Sequence, residues 1–304
     1  MTTYALRRLL QVPLPLFLVL VVVFFAIRLS GDPVALMLAD YATEQQKLQL
    51  RHSLGLDQPL PVQFLIYVGN VVRGDFGESV IYNQPATAVV AAALPATVQL
   101  TLLAIVVATV LGIVTGLLSG VAEGSLLDRG LLAIGVLGQA LPSFWLGLML
   151  IVLFAVNLHW LPTSGIGTWQ HLVLPTMTLA AFLYPQVALL TRATLIEVMH
   201  EQYITTAQAK GLPSHTIVLR HALRNSLNPV VTSIGLNFGL LLGGAVITET
   251  VFAWPGVGQL GIKAIFSRDL PIVSASVFVL AVSIIVCNLA ADLINGVLDP
   301  RIRE

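Results

Sequence analysis

The residues able to do chemistry in this chain are few, and their spacing suits little of it. Histidines stand at 52, 159, 171, 200, 215 and 221, and no two share one element at metal-ligand spacing. His215 and His221 are six apart, which is wrong for one helical face. Cys287 is the single cysteine, so an internal disulfide, a cysteine zinc site and an iron–sulfur cluster are all excluded. No Gly-x-Ser-x-Gly elbow and no His-Glu-x-x-His pair occurs, so neither a hydrolase nucleophile nor a zinc protease site can be nominated. The acids nearest the apolar stretches are Glu249, Asp269 and Asp292, each near an end and none adjacent to another. A Gly-x-x-x-x-Gly-Lys-Ser/Thr phosphate loop is missing, so ATP binding by that route is not expected of this chain. Deep interior charge, the usual mark of an ion-coupled carrier, is almost absent. What remains is a conduit powered by something else.

The elements that would build such a conduit follow from composition. Of 304 residues, 57% are hydrophobic and 10% charged, against about 25% charged in a soluble domain. That balance excludes a water-soluble globular fold, and disorder with it. Fifteen basic and fifteen acidic residues cancel, so no global field favours nucleic acid. A bilayer core of about 30 Å needs roughly 20 apolar helical residues. Six stretches qualify: 9–27, 98–118, 131–156, 172–190, 229–247 and 272–293. Pro95 suits a helix start before the second, whereas Pro175 and Pro185 interrupt the fourth. None alternates in polarity as barrel strands do. The expectation is an all-α membrane protein with six transmembrane helices. The first span has Arg7 and Arg8 ahead of it and no small-x-small cleavage site behind it, so it reads as an uncleaved anchor.

Orientation follows from lysine and arginine near the span ends. With the N-terminus inside, nine basic residues fall on inner segments (Arg7, Arg8, Arg129, Arg192, Lys210, Arg220, Arg224, Arg301, Arg303) and six on outer ones. Four of those six lie in the long first outer segment, where the rule is weak. Both termini are expected in the cytoplasm. Residues 1–97 read as a first span plus an extracytoplasmic segment of short helices, 98–293 as a five-helix core, and 294–304 as a cytoplasmic tail. Trp160 and Trp169, in the outer loop between spans three and four, are explained as interfacial anchors.

The inner segment 191–228 is the exception, being long, polar and basic. Glu201 to Gly211 reads as a helix stopped by the glycine, and Ser214 to Arg224 as a second helix capped by Ser214. Asn228-Pro229 would then open span five. Such a helix–glycine–helix suits docking into a groove of another protein, although composition alone equally allows a solvated connector.

The string Tyr203-Ile204-Thr205-Thr206-Ala207-Gln208-Ala209-Lys210-Gly211, followed by His221-Ala222-Leu223-Arg224-Asn225-Ser226 and Asn228-Pro229, resembles the cytoplasmic motif of ABC importer permeases. The branch it most resembles imports dipeptides, oligopeptides, glutathione and nickel. Four further strings match: Gly31-Asp32-Pro33; Leu54-Gly55-Leu56-Asp57-Gln58-Pro59; Trp254-Pro255-Gly256-Val257-Gly258 with Arg268-Asp269 and Pro271; and Asp299-Pro300-Arg301-Ile302-Arg303.

The resemblance implies a type I importer permease in a bacterial inner membrane. It would form half of a path with a second, non-identical permease. Two cytoplasmic ATPases would carry ATP and magnesium, and an extracytoplasmic solute-binding protein would deliver the solute. This chain would hold no cofactor or metal and would not itself be an enzyme. The resemblance places Thr205, Ala207, Gln208, Ala209, Lys210 and Gly211 in the ATPase-coupling segment, and Arg220, His221, Arg224 and Asn225 on the return from it. The wider superfamily has an acid six residues before the glycine. Thr205 stands there instead, so no salt bridge to the ATPase is implied at that position.

Path candidates are the polar residues of the spans: Gln139 and Ser143 on span three, Gln186 on span four, and Ser233 and Asn237, four apart on span five. Hydrogen bonding between helices would explain them equally. Gly243 and Gly244 are expected to allow close helix approach. Trp254, Pro255, Gly256, Arg268 and Asp269 are candidates for an outer gate or binding-protein contact. Short peptides are the expected solute, with nickel or a metal chelate next and an autonomous secondary transporter as the other class.

Overall fold

The computed structural model describes residues 8–29, 43–53 and 56–298. Gly31-Asp32-Pro33, Leu54-Gly55, the Asp299–Arg303 string and both termini lie outside the described residues. The described chain is helical: α1 Pro13–Leu29, α2 Glu44–Ser53, α3 Leu60–Val72, α4 Ala86–Val121, α5 Leu126–Ala140, α6 Ser143–Leu150, α7 Gln170–Met199, α8 Gln202–Ala209, α9 Leu223–Val251, α10 Val257–Phe266 and α11 Leu270–Leu298. Wider π-helical turns extend α6 over Ile151–Asn157 and precede α9 over Ile217–Ala222. Among the described residues four helices are long and apolar enough to cross a membrane, or six where each of two bent pairs is one span.

The bent pairs divide the third and fifth spans, which read in sequence as single stretches, 131–156 and 229–247. The third span is two helices, Leu126–Ala140 and Ser143–Asn157, meeting at 108°. The cause is Pro142, whose ring disfavours helical backbone at the preceding residue. Leu141 accordingly takes an extended conformation, φ −87° and ψ 133°. The second span does not begin after Pro95: α4 starts at Ala86 and carries Pro95 inside it. Its 36 residues span about 54 Å, well beyond a bilayer core. The fifth span does not begin at Pro229 either. Helix continues from Ser214 through Pro229, with a 49° bend between Gly235 and Asn237. There the Asn237 side-chain amide donates to the Ser233 carbonyl at 2.8 Å, competing with the helix ladder.

The chain divides into two compact units. One contains residues 2–97 and 255–285. In it α1 packs on α3 through Phe24–Phe64 and Phe17–Phe64 edge contacts at 5.2 and 5.8 Å. The Arg28 guanidinium lies over the Phe24 ring and donates twice to Gln63 Oε1, at 3.0 and 2.7 Å. A second core joins Ala86 and Val90 of α4 to Val257 and Ala264 of α10 and to Ile272 and Ala275 of α11. That burial holds α4 helical ahead of Pro95.

The other unit contains residues 98–254 and 286–304. Its organising feature is a stripe of glycines on α4 against α7. A Cβ on Gly112 would stand 2.6 Å from Val187 Cγ1, and one on Gly116 2.5 Å from the Ala188 carbonyl oxygen. Gly120 continues the stripe opposite Leu195. Glycine at this spacing lets two helix backbones approach closely, gaining dispersion contact where no hydrophobic effect operates in lipid. Gly243, expected to serve that purpose, faces open space, and Gly244 makes an ordinary contact with Leu179.

Candidate coupling segment and translocation path

α7 leads directly into the segment singled out by the sequence. His200 ends α7, and α8 follows from Gln202 to Ala209. Ile204 and Ala207, three apart, face one core with Leu195 of α7 and with Ile217 and Ala222 ahead of α9. The remaining face of α8 points outward: Thr205, Gln208, Ala209 and Lys210 are exposed. Ala207 is 8% exposed, so it anchors the helix and does not present a surface.

Gly211 closes α8 as a C-terminal cap, with φ +78°. Leu212 N–H reaches back to the Ala207 carbonyl at 3.3 Å, and Lys210 N–H to that of Thr206 at 3.1 Å. This is the glycine-terminated helix end whose left-handed residue a side chain would strain. Helix resumes at Ser214, with Pro213 as the flanking cap and not Ser214. On this return Arg220, Arg224 and Asn225 are exposed, and His221 is half-buried. Asn225 Nδ2 donates to the Tyr203 hydroxyl at 2.8 Å, tying α9 to α8. The segment 202–225 is therefore a small folded knob whose outer face mixes polar side chains with Tyr203, Leu212 and Leu219.

A buried polar cluster at the start of α5 centres on Asp128. Asp128 is 2% exposed and accepts four hydrogen bonds. Oδ1 receives Ser119 Oγ at 2.5 Å and Arg192 Nε at 2.7 Å, while Oδ2 receives Gly124 N–H at 2.9 Å and Arg192 Nη2 at 2.7 Å. A carboxylate has about four lone-pair sites, and all are filled. Ser125 caps α5 by accepting from the Asp128 N–H. Asp128 lies in the link between the second and third apolar stretches, outside both. The Ser125-Leu-Leu-Asp128 spacing, a helix-start signature, was the available signal.

The path candidates fall into separate places. Gln139 and Ser143 flank the break between α5 and α6 and line a cavity of about 320 Å³ with Thr178, Ala181 and Phe182. Irregular backbone at membrane depth is tolerated where it is buried in protein or lines a water-filled cavity. Ser233 and Asn237 bond to each other within α9. Gln186 is exposed on α7 and does not line the cavity.

The outer-gate candidates also separate. Trp254 is 1% exposed and Gly256 is buried, whereas Pro255 and Arg268 are exposed. Asp269 is 1% exposed and its Oδ2 accepts from Ser79 Oγ at 2.5 Å and from Ile81 N–H at 3.4 Å. Its Oδ1 caps α11 through Ile272 N–H. Asp269 thus ties the 79–81 turn to α11, leaving Arg268 as the outward residue of that pair. Trp160 and Trp169 are largely exposed, at 64% and 73%.

The fold built from long apolar helices, two broken spans and the capped helix–glycine–helix segment is shared with solved transporters. The solved methionine ABC transporter MetNI in an inward-facing form shares this fold, with TM-score 0.56 at 19% identity over 69% of this chain and 96% of that one. A solved amino acid ABC transporter with histidines matches 71% and 94%, with TM-score 0.53 at 16% identity. Residues 108–304 match the family described as binding-protein-dependent transport system inner membrane component, and residues 1–101 match its N-terminal companion. The chain belongs to that family. It is 40% identical over 304 residues to the glutathione transport system permease protein GsiC of Escherichia coli (strain K12), covering 100% of this chain and 99% of that one. The protein of the same description from Salmonella typhi is 39% identical over the same span. This protein is therefore a multi-pass inner-membrane permease subunit, and such permeases work with ATPase and binding-protein partners.

Proposed function

We propose that this permease forms half of an import path for short peptides, glutathione among them, with a second, non-identical permease as the other half. Two cytoplasmic ATPases bind ATP and magnesium and hydrolyse the nucleotide, and this chain supplies no catalytic group. An extracytoplasmic binding protein delivers the solute, for which Pro255 and Arg268 are the exposed contact candidates. Both termini and the 202–211 segment face the cytoplasm. Full-length identity to glutathione permeases is the observation that carries the choice of peptide over nickel.

The mechanism uses the geometry of the coupling segment. ATP binding closes the ATPases, and the outward face of α8 (Thr205, Gln208, Ala209, Lys210) moves with them. Ile204 and Ala207 pass that movement to α7 and α9, with Arg220, His221, Arg224 and Asn225 on the returning arm. The break at Leu141–Pro142 then opens or closes the cavity beside Gln139 and Ser143. Gln186 contributes polar surface elsewhere along the path, whereas Ser233 and Asn237 act through their mutual bond at the bend of α9.

The test is reconstitution of the complete transporter in liposomes with labelled glutathione outside and ATP inside. Uptake requiring both ATP and the binding protein is expected. In Gly211→Trp, uptake should be lost while ATP hydrolysis persists or the ATPases fail to assemble. Uptake by the chain alone, driven by an ion gradient, would contradict the proposal.

A further inference from the structure

The Asp128 cluster joins three helices at one point. Ser119 belongs to α4, Asp128 to the first turn of α5, and Arg192 to α7. Arg192 lies two turns before the end of α7, on the helix that delivers α8. The glycine stripe already holds α7 against α4 along 112–120. Among the described residues α5 has no such close approach: Gly130 and Gly138 face open space. Along its length it meets α7 through ordinary contact, as where Gly135 faces Pro185 at 3.7 Å. The bidentate bond to Arg192 is a directional attachment of α5, and it sits at the opposite end of that helix from the Leu141–Pro142 break.

We infer that Asp128 is a positioning residue for energy coupling: by gripping Arg192 it makes α4, α5 and α7 one lever. Movement of α8 is then transmitted through α7 to the start of α5, and along α5 to the break that borders the cavity. This inference rests on the coupling role proposed above. Planar two-point geometry matters, since a single flexible bond would let α5 swivel on α7. Lysine at 192 would keep the charge and lose the fork. Asparagine at 128 would turn two of the four accepting positions into N–H groups facing donors.

The complete transporter carrying Asp128→Asn, Arg192→Lys or Ser119→Ala tests this in liposomes, reading solute taken up per ATP hydrolysed. Only assembled complex is counted, so a loss confined to folding does not register. Asp128→Asn and Arg192→Lys are expected to lower the ratio by about tenfold, within the usual range of coupling between distant sites, and Ser119→Ala to lower it less. Should Asp128→Asn fail to assemble, Arg192→Lys and Ser119→Ala carry the test. A second readout places cysteine at Gln139 with Cys287→Ser. Its thiol reactivity should change on ATP addition with Asp128 present and stay constant when Arg192→Lys is added. Wild-type ratios in the assembled variants, with unchanged ATP response at 139, would overturn the inference while leaving the import function standing. ATP-independent uptake by the unmutated complex would instead overturn the function on which it rests.

Discussion

Two buried aspartates in this chain face the same problem and solve it differently. Asp128 and Asp269 are 2% and 1% exposed. Asp128 is gripped by a guanidinium from another helix, 64 residues along the chain. Asp269 is satisfied, among the described residues, by a hydroxyl and two backbone amides, across 190 residues. A paired charge can be placed between helices because its partner brings compensating charge. An unpaired carboxylate must instead sit where backbone N–H groups are free, at a helix start, where the helix dipole also favours it. The first arrangement joins three helices, and the second fixes a loop.

Breaking the first arrangement should cost most. Asp128→Ala leaves Arg192 without its carboxylate, and the largest fall in apparent Tm of the purified protein is expected there, compared with the other variants below. Arg192→Ala combined with it should recover part of that loss, since removing both partners costs less than stranding one. Absence of any recovery would mean that the two residues do not act as a pair. The neighbouring stripe is tested by Gly116→Leu. Its new side chain would collide with the Ala188 backbone, so α4 and α7 must separate, at about 1–3 kcal/mol.

Asp269→Ala should cost about 1.5–3 kcal/mol, as expected for hydrogen bonds to a charged group, and should free the 79–81 turn to proteolysis with uptake per ATP unchanged. A drop in coupling equal to that of the Asp128 variants would erase the distinction between the two acids. The smallest effect is expected at an exposed pair. The hydrogen bond from His52, at 3.0 Å, holds the Asp57 carboxyl below its ordinary value. Because the folded value is the lower one, this contribution is present above the ordinary carboxyl range and fades as pH falls through the lowered value. In His52→Ala the Asp57 titration, followed by NMR, should move back up, with little change in stability at neutral pH.

Much of this architecture was legible in the sequence, for physical reasons. Apolar stretches of membrane length announce helices wherever they occur. Gly211 announced a helix end because few other residues take φ +78°. Breaks were harder, because hydropathy is blind to Pro142 and α5 and α6 read as one span. Pro95 and Pro229 misled in the opposite direction. Each suits a helix start in sequence, yet packing ahead of it extends the helix past the ring. The Ser125–Asp128 spacing marks a helix start, but the pairing with Arg192 was not legible, because a contact between helices leaves no local signature. Ala207 shows the same limit: the motif marks the segment, and only packing tells its anchoring face from its presented one.

The account stands or falls on which side of the membrane the α8 surface lies and what it touches. Lys210→Cys in a Cys287→Ser background answers both in intact cells. An impermeant thiol reagent added outside should leave position 210 unmodified, and a cell-permeant bifunctional cross-linker should join it to an ATPase subunit. Modification of residue 210 from outside, with no ATPase captured, would contradict the account.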